Sequence, residues 1–288
     1  MLDSVNMLKL GDADYPAALN NIHRPPQEIY WGGANPQEWL NRPKVAIVGS
    51  RKMTCYGQEV TDRLARQLAS AGVVIISGLA FGIDITAHQA ALSVRGTTVA
   101  VLATSLDNIT PRSNYSIARH IVQSGSLLSE QPPGSNVHLG QFVTRNRIIS
   151  GLADIVLIPE AVLKSGSLHT ARYAMEQGKT VMAVPGNINS PASQGSNNLI
   201  KSGAIPITEA GDVFFALKMN PDKPAVKKII FNRPDEAKVY DLIKQGTINQ
   251  EELTMAAGLD TPALSSALTM LELAGHIRPA GGGNWLAA

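Results

Sequence analysis

Short apolar runs alternate with longer helix-patterned segments from about residue 44 onward. The runs are rich in β-branched residues and lie at 45–48, 73–77, 97–102, 154–159 and 180–184. Strands that alternate with helices along a chain are typical of a parallel sheet with right-handed crossovers. Because these runs are apolar almost throughout, we expect helices to cover both faces of the sheet. The pattern predicts a doubly wound, Rossmann-like α/β domain over residues 44–218.

The segments on either side of this domain lack its pattern. Residues 1–43 show no clear period, and we predict an irregular lead-in that packs on the core. Residues 219–234 contain several turn-forming Pro and Asn residues, which indicates a linker. Residues 235–288 have the pattern of two helices, a longer helix and a Gly-rich hairpin, with Asn249 placed to cap the second helix. That order predicts a small C-terminal winged-helix domain.

Charge and cysteine content narrow the class of protein. The chain has 288 residues, a formal net charge of +2 and one cysteine, Cys55, so affinity for a polyanion requires a local cluster of basic residues. Residues 232–288 carry four basic and seven acidic residues, and protein contact suits the winged helix at least as well as DNA contact. A single thiol gives no disulfide framework or zinc finger, and the sequence shows no signal peptide or membrane-helix pattern. We expect a cytoplasmic protein with no membrane segment and no metal.

Small-residue turns follow three of the predicted strands, each just before a predicted helix. Backbone N–H groups at such turns point outward with the positive end of the helix dipole behind them, which suits phosphate groups. In doubly wound folds, ligands bind at the carboxyl ends of the strands, where these turns fall. The candidate phosphate-binding residues from these turns are Gly49, Ser50, Arg51, Ser77, Gly78, Gly82, Lys164, Ser165, Gly166, Ser167 and Thr170. The sequence contains neither a dinucleotide fingerprint nor a P-loop, so we predict no cofactor.

Carboxylates and a histidine accompany these turns. Asp84 is placed to cap the helix after Gly82, and His88 follows one turn later. An acid/base pair and half of a metal site are possible interpretations, but helix capping with a local Asp–His hydrogen bond is favoured. Glu160, at the end of another strand, is placed to accept a hydrogen bond from a sugar hydroxyl or to orient a basic residue.

The segment from Phe142 to Arg147 combines an aromatic ring with Arg145, Asn146 and Arg147. Proteins bind single-stranded DNA with this combination of residues, because a base stacks on the aromatic ring and guanidinium groups contact the phosphates. The alternative is that Phe142 belongs to the core and the arginines lie on a solvated helix face.

Taken together, these motifs resemble the DNA-processing protein A family (DprA, also called Smf). The matching segments are 49–51, 77–88, 129–130, 145–149, 165–167, 183–186 and 199–204. The resemblance implies that Gly49, Ser50, Arg51, Arg145, Asn146, Arg147, Lys164, Ser165, Gly166, Ser167 and Thr170 form a DNA-phosphate pocket, with Phe142 contacting a base. It also implies a homodimer that binds single-stranded DNA and loads RecA recombinase during natural transformation. Two departures are residues 103–111, where the family is usually Gly-rich, and Val143, where it has Pro.

The residues and the resemblance together favour a non-enzymatic single-stranded DNA-binding protein. Two alternatives stay open. One is a nucleotide hydrolase on a similar fold, although Tyr173 stands where its catalytic Glu would be. The other is a sensor that binds a mononucleotide in the same pocket.

Overall fold

The computed structural model describes residues 5–219, 234–244, 246, 249–274 and 276–287. The chain divides into two compact units, Met1–Pro224 and Ala225–Ala288. Most of the predicted linker, residues 220–233, lies outside the described residues.

A nine-stranded sheet organises the described part of the N-terminal unit. Its strands are β1 (Asn6–Lys9), β2 (Glu28–Gly33), β3 (Lys44–Ile47), β4 (Val74–Ser77), β5 (Thr98–Leu102), β6 (Ser126–Ser129), β7 (Ile155–Ile158), β8 (Thr180–Ala183) and β9 (Ile205–Pro206). Their order across the sheet is β1-β2-β6-β5-β4-β3-β7-β8-β9. The strands from β3 to β9 are all parallel, and β1 and β2 extend the sheet in antiparallel pairing beyond β6.

The strand order places a topological switch point at the middle of the sheet. From β3 the chain moves outward through β4, β5 and β6, and it then returns to the other side of β3 with β7. The loops after β3 and β7 therefore leave the sheet in opposite directions and open a crevice between them. Ligands of open α/β sheets bind in this crevice.

Helices cover both faces of the sheet, as the apolar strands predict. The helices of this unit are α1 (Cys55–Ser70), α2 (Ile83–Ser93), α3 (Tyr115–Ser124), α4 (Gly140–Thr144), α5 (Asn146–Leu152), α6 (Ser167–Glu176), α7 (Gln194–Lys201) and α8 (Ala210–Ala216). Alternate residues of one strand enter different cores: Val45 and Ile47 pack with α1, α2 and α8, whereas Ala46 packs with α5 and α6. The doubly wound prediction is confirmed.

The first 43 residues are more regular than expected. They contribute β1 and β2 to the sheet, and Trp39 is buried with its indole N–H donating to Ser126 Oγ at 2.8 Å. The prediction of an irregular segment is wrong in this respect. These two antiparallel strands are short and their burial does not follow a strict alternation, so the periodicity gives no clear signal.

The C-terminal unit has the predicted winged-helix order. Helices α9 (Pro234–Lys244), α10 (Gln250–Ala257) and α11 (Thr261–Leu273) precede a hairpin of β10 (Ile277–Gly281) and β11 (Asn284–Ala287). Asn249 caps α10 as predicted, because its side-chain oxygen accepts from Glu251 N at 2.9 Å. Across the described parts of the whole chain, every helix is too short or too polar to span a bilayer.

Candidate nucleic-acid interface

A pocket lies at the switch point, between the loop after β3 and the loop after β7. It is lined by Val48, Gly49, Ser50, Arg51, Lys52, Ala80, Asp84, Phe142, Val143, Arg145, Asn146, Val162, Lys164, Ser165, Gly166, Ser167 and Thr170. We call it the switch pocket. It brings together most of the candidate phosphate-binding residues and Phe142, although they come from three separate parts of the sequence.

The loop after β3 forms one wall of the switch pocket and is fixed by its backbone. Ser50 N donates to Glu160 O at 2.9 Å, and Ser50 O accepts from Ile83 N at 3.1 Å. Gly82 is packed so closely that a Cβ there would lie 2.2 Å from Ser50 O, and its φ of +75° also favours glycine. The rigid loop presents the exposed Arg51 side chain, whose guanidinium carbon lies 5.9 Å from the ring centroid of Phe142.

The loop after β7 forms the opposite wall and leads into α6. The hydroxyl oxygens of Ser165 and Ser167 lie 2.7 Å apart, and α6 begins at Ser167. Thr170 lines the pocket one turn into the helix, and the exposed Lys164 stands at the rim. A helix N-terminus with a serine-rich turn and an ammonium group beside it is a suitable environment for an anionic oxygen.

Arg145 supplies a buried cation to the floor of the switch pocket. Its side chain donates to Gly78 O at 2.9 Å, to Val101 O, and to Asn146 Oδ1 at 3.2 Å. Burial lowers the pKa of Arg145 to about 10, although the nearby Asp84 opposes the shift. The group is charged at neutral pH, but its hydrogen bonds hold it against the protein. It therefore acts as a fixed positive charge rather than a mobile phosphate ligand.

Asp84 organises the loop that precedes α2. Its carboxylate accepts from Gly78 N at 3.1 Å. Burial raises the pKa of Asp84, and the charge of Arg145 counteracts this shift. The expected hydrogen bond between Asp84 and His88 is wrong, because His88 Nδ1 instead lies 2.7 Å from Thr98 Oγ1.

Four of the predicted site residues do not line the switch pocket. Arg147 is 4% exposed, and its guanidinium pairs with Glu130 Oε1 at 2.5 Å. Ser77 is buried and donates to Ile47 O at 2.6 Å. Gly78 serves the Asp84 and Arg145 hydrogen bonds, and Gly82 provides the close approach to the Ser50 loop. These residues shape or support the pocket. Arg145 and Arg147 are two positions apart at the start of α5, so their side chains point in different directions. The sequence pattern of residues 145–147 does not reveal this difference.

Glu160 has a different environment from the one expected. It is 1% exposed, and its carboxylate accepts from Thr54 N at 3.0 Å and from the Thr54 hydroxyl. Thr54 in turn caps α1 by accepting from Gly57 N at 3.1 Å. Glu160 thus stabilises the start of α1 and contacts neither Arg51 nor Lys164. Its carboxylate is not part of the pocket lining.

The charge balance of the switch pocket favours an anion. The lining contains four cationic side chains and one carboxylate, that of Asp84. The cations are Arg51, Lys52, Arg145 and Lys164. Sequence reasoning missed Lys52, although its position next to Arg51 is a usable signal. No group of three or more His, Cys, Asp and Glu side chains is placed to hold a metal ion among the described residues. The arrangement suits a phosphodiester, with the half-buried ring of Phe142 at the edge for a base.

Comparison with known proteins places this geometry in a family context. The family model for DNA recombination-mediator protein A matches residues 6–218, and the model for the DprA winged helix domain matches residues 224–283. Protein Smf of Escherichia coli (strain K12) is 42% identical over 289 residues, covering 95% of this chain and 72% of that protein. DNA processing protein DprA of Bacillus subtilis (strain 168) is 40% identical over 210 residues, covering 73% and 70%.

Two solved structures show the same fold at appreciable identity. DNA processing protein A from Streptococcus pneumoniae superposes with a TM-score of 0.69 at 37% identity, covering 74% of this chain and 75% of that chain. The Helicobacter pylori protein, described for its unique single-stranded DNA binding mode, gives a TM-score of 0.67 at 36% identity, covering 74% and 95%. With both its α/β and winged-helix regions matched, the chain belongs to the DNA recombination-mediator protein A family (DprA/Smf).

Proposed function

We propose that this protein binds single-stranded DNA through the switch pocket, with backbone phosphates on the two walls and a base on Phe142. The observation that carries the proposal is the meeting of exposed Arg51 and Lys164 with the N-terminus of α6 in one pocket. The single-stranded DNA binding described for the Helicobacter pylori relative, at 36% identity, supports the choice of ligand. The predicted phosphate ligands are Gly49, Ser50, Arg51, Asn146, Lys164, Ser165, Gly166, Ser167 and Thr170, with Arg145 as a fixed charge.

The carboxylates around the pocket support binding rather than catalysis. Asp84 accepts from backbone N–H and faces Arg145, and Glu160 is buried against Thr54. A hydrolase needs an acid or base within reach of the reacting atoms. Tyr173, where the related hydrolases have their catalytic Glu, lies outside the pocket lining, with Arg172 stacked 5.6 Å from its ring centroid. We therefore infer a DNA-binding protein rather than an enzyme.

The biological role we propose is to protect an incoming strand and to load a RecA-type recombinase on it during natural transformation and recombination. The family description as a recombination mediator supports this role. We further propose that the protein works in the cytoplasm as a homodimer, so that two switch pockets span a longer strand.

Fluorescence anisotropy of a labelled oligothymidine tests the binding proposal, with duplex DNA and AMP as competitors. We expect salt-sensitive binding that neither competitor displaces, and equal affinity for other unstructured sequences. Displacement by AMP would instead support the mononucleotide sensor. Light scattering tests the homodimer, and strand exchange with a purified RecA-type recombinase on protein-coated single-stranded DNA tests the loading role.

A further inference from the structure

A second cleft lies beside the switch pocket, at the carboxyl ends of β3 and β8. Its lining includes Thr54, Tyr56, Pro185, Asn187, Ser190 and Ser193. We call it the Tyr56 cleft. The nucleotide-binding residues derived above do not include any of these side chains.

Tyr56 is held in a fixed orientation at the edge of this cleft. It lies in the first turn of α1, and its hydroxyl donates to Pro185 O at 2.9 Å. The start of α1 is itself held by Thr54, through its cap on Gly57 and its bond to the buried Glu160. Even so, Tyr56 is 45% exposed. A tyrosine that is held by its backbone and its hydroxyl, yet stays partly exposed in a cleft, loses little conformational entropy when a planar group stacks on its ring.

The chemistry of the Tyr56 cleft differs from that of the switch pocket. None of the described residues that line it is charged, and the lining consists of hydroxyl, amide, proline, glycine and aromatic groups. A phosphate or a metal ion has no counter-charge there. A nucleobase suits it, because the base presents a flat π-face to an aromatic ring and polar edges to hydroxyl and amide groups.

The two sites lie on one continuous segment of chain. Lys52 lines the switch pocket and Tyr56 lines the second cleft. Four residues of extended chain span at most about 14 Å, a distance that a short oligonucleotide bridges. The phosphate of one nucleotide and the base of a nearby nucleotide therefore reach the two sites together.

We propose that the Tyr56 cleft is a second base-binding subsite, in which Tyr56 stacks on a base of the same strand whose phosphates occupy the switch pocket. This inference rests on the proposed single-stranded DNA binding. It adds a platform beyond Phe142 and predicts that the strand runs from the end of β3 toward the end of β8.

A double-mutant cycle between protein and DNA tests this subsite. Oligothymidines carrying one abasic site at each position in turn are titrated into wild type and Tyr56→Ala. In the wild type, one abasic position beyond those that contact Phe142 weakens binding by about 5- to 150-fold, the range for one base–aromatic stack. In Tyr56→Ala the same abasic site has little further effect, because the ring it would have stacked on is absent.

Two variants serve as matched controls. Tyr56→Phe keeps the ring and loses only the bond to Pro185, so it retains the abasic effect. Tyr115→Ala removes another tyrosine, 43% exposed, at the start of α3, and leaves affinity unchanged. The abasic scan on wild type alone reports on the subsite if Tyr56→Ala does not fold.

The outcomes separate this inference from the proposed function. If wild type binds no oligothymidine, the proposed function fails. If wild type binds and Arg51→Ala weakens binding, but Tyr56→Ala shows the same abasic profile as wild type, only the Tyr56 subsite is overturned.

Discussion

Replacing Arg51 by Ala removes one exposed cation from the switch pocket and leaves its backbone frame in place. The frame depends on Ser50, Ile83 and Gly82, none of which uses the Arg51 side chain. The only described ring contact of Arg51 is with Phe142, at 5.9 Å. The change therefore acts on binding and not on the stability of the fold.

The expected size of the effect follows from counterion release. Each phosphate neutralised on a single strand contributes about 0.7 to the slope of log affinity against log salt. Three cations of the pocket are exposed, Arg51, Lys52 and Lys164, whereas Arg145 is buried against Gly78 and Asn146. If each exposed cation meets one phosphate, a tenfold rise in salt weakens wild-type binding by about 130-fold and Arg51→Ala binding by about 25-fold.

Anisotropy titrations of oligothymidine over a tenfold range of salt measure both slopes. Arg66→Ala is a matched control, because it removes the same charge from α1, where Arg66 pairs with Asp62 at 2.7 Å. We expect this control to keep the wild-type slope. Equal slopes and equal affinities for Arg51→Ala and wild type would show that Arg51 contacts no phosphate and would remove it from the interface.

Three further predictions concern buried or closely packed residues of the α/β unit. Arg147→Met leaves the Glu130 carboxylate without its cation. Because the Glu130 side chain is 26% exposed, water can solvate part of its charge. We therefore expect the free energy of unfolding to fall by about 3 kcal/mol, the lower end of the range for breaking a buried ion pair. Urea denaturation measures this loss, and an unchanged salt slope for DNA binding separates Arg147 from the phosphate ligands. Gly82→Ala forces a Cβ to within 2.2 Å of Ser50 O, so we expect weaker oligothymidine binding in anisotropy, whereas wild-type affinity would show that the Ser50 loop tolerates displacement. Burial lowers the pKa of His88 from 6.5 to about 3, so its contribution to stability is present above pH 6.5 and is lost as the pH falls toward 3. Urea denaturation should show that the free energy of unfolding is about 2 kcal/mol lower at pH 5 than at pH 7 because of this group. His88→Gln should lack this difference.

Much of the fold is evident from the sequence because the parallel strands are buried on both faces. The apolar runs around β3, β4, β5, β7 and β8 coincide with the observed strands to within one or two residues. By contrast, β1 is an edge strand and β2 lies next to it, and both have partly exposed residues. Strands that are not buried on both faces do not form continuous apolar runs, so a prediction based on such runs misses them.

The candidate site is predictable in position but not in the role of each side chain. The Gly and Ser turns lie at the switch point because parallel strands bring their carboxyl ends to one edge of the sheet. Arg51 and Arg147 have the same chemistry in the sequence, yet one is exposed at the pocket and the other is 4% exposed against Glu130. Arg147 is buried because it pairs with Glu130, which lies 17 positions away along the chain. The residues adjacent to Arg147 in the sequence give no signal of this pairing.

A crystal structure of the protein with a bound oligothymidine would show directly whether the switch pocket holds single-stranded DNA. We expect a backbone phosphate in the switch pocket, with its oxygens within hydrogen-bonding distance of the Ser165–Ser167 turn and of Arg51, and a base against Phe142. A strand bound on another surface of the protein, with the switch pocket free of phosphate, would show that the switch pocket is not the DNA-binding site.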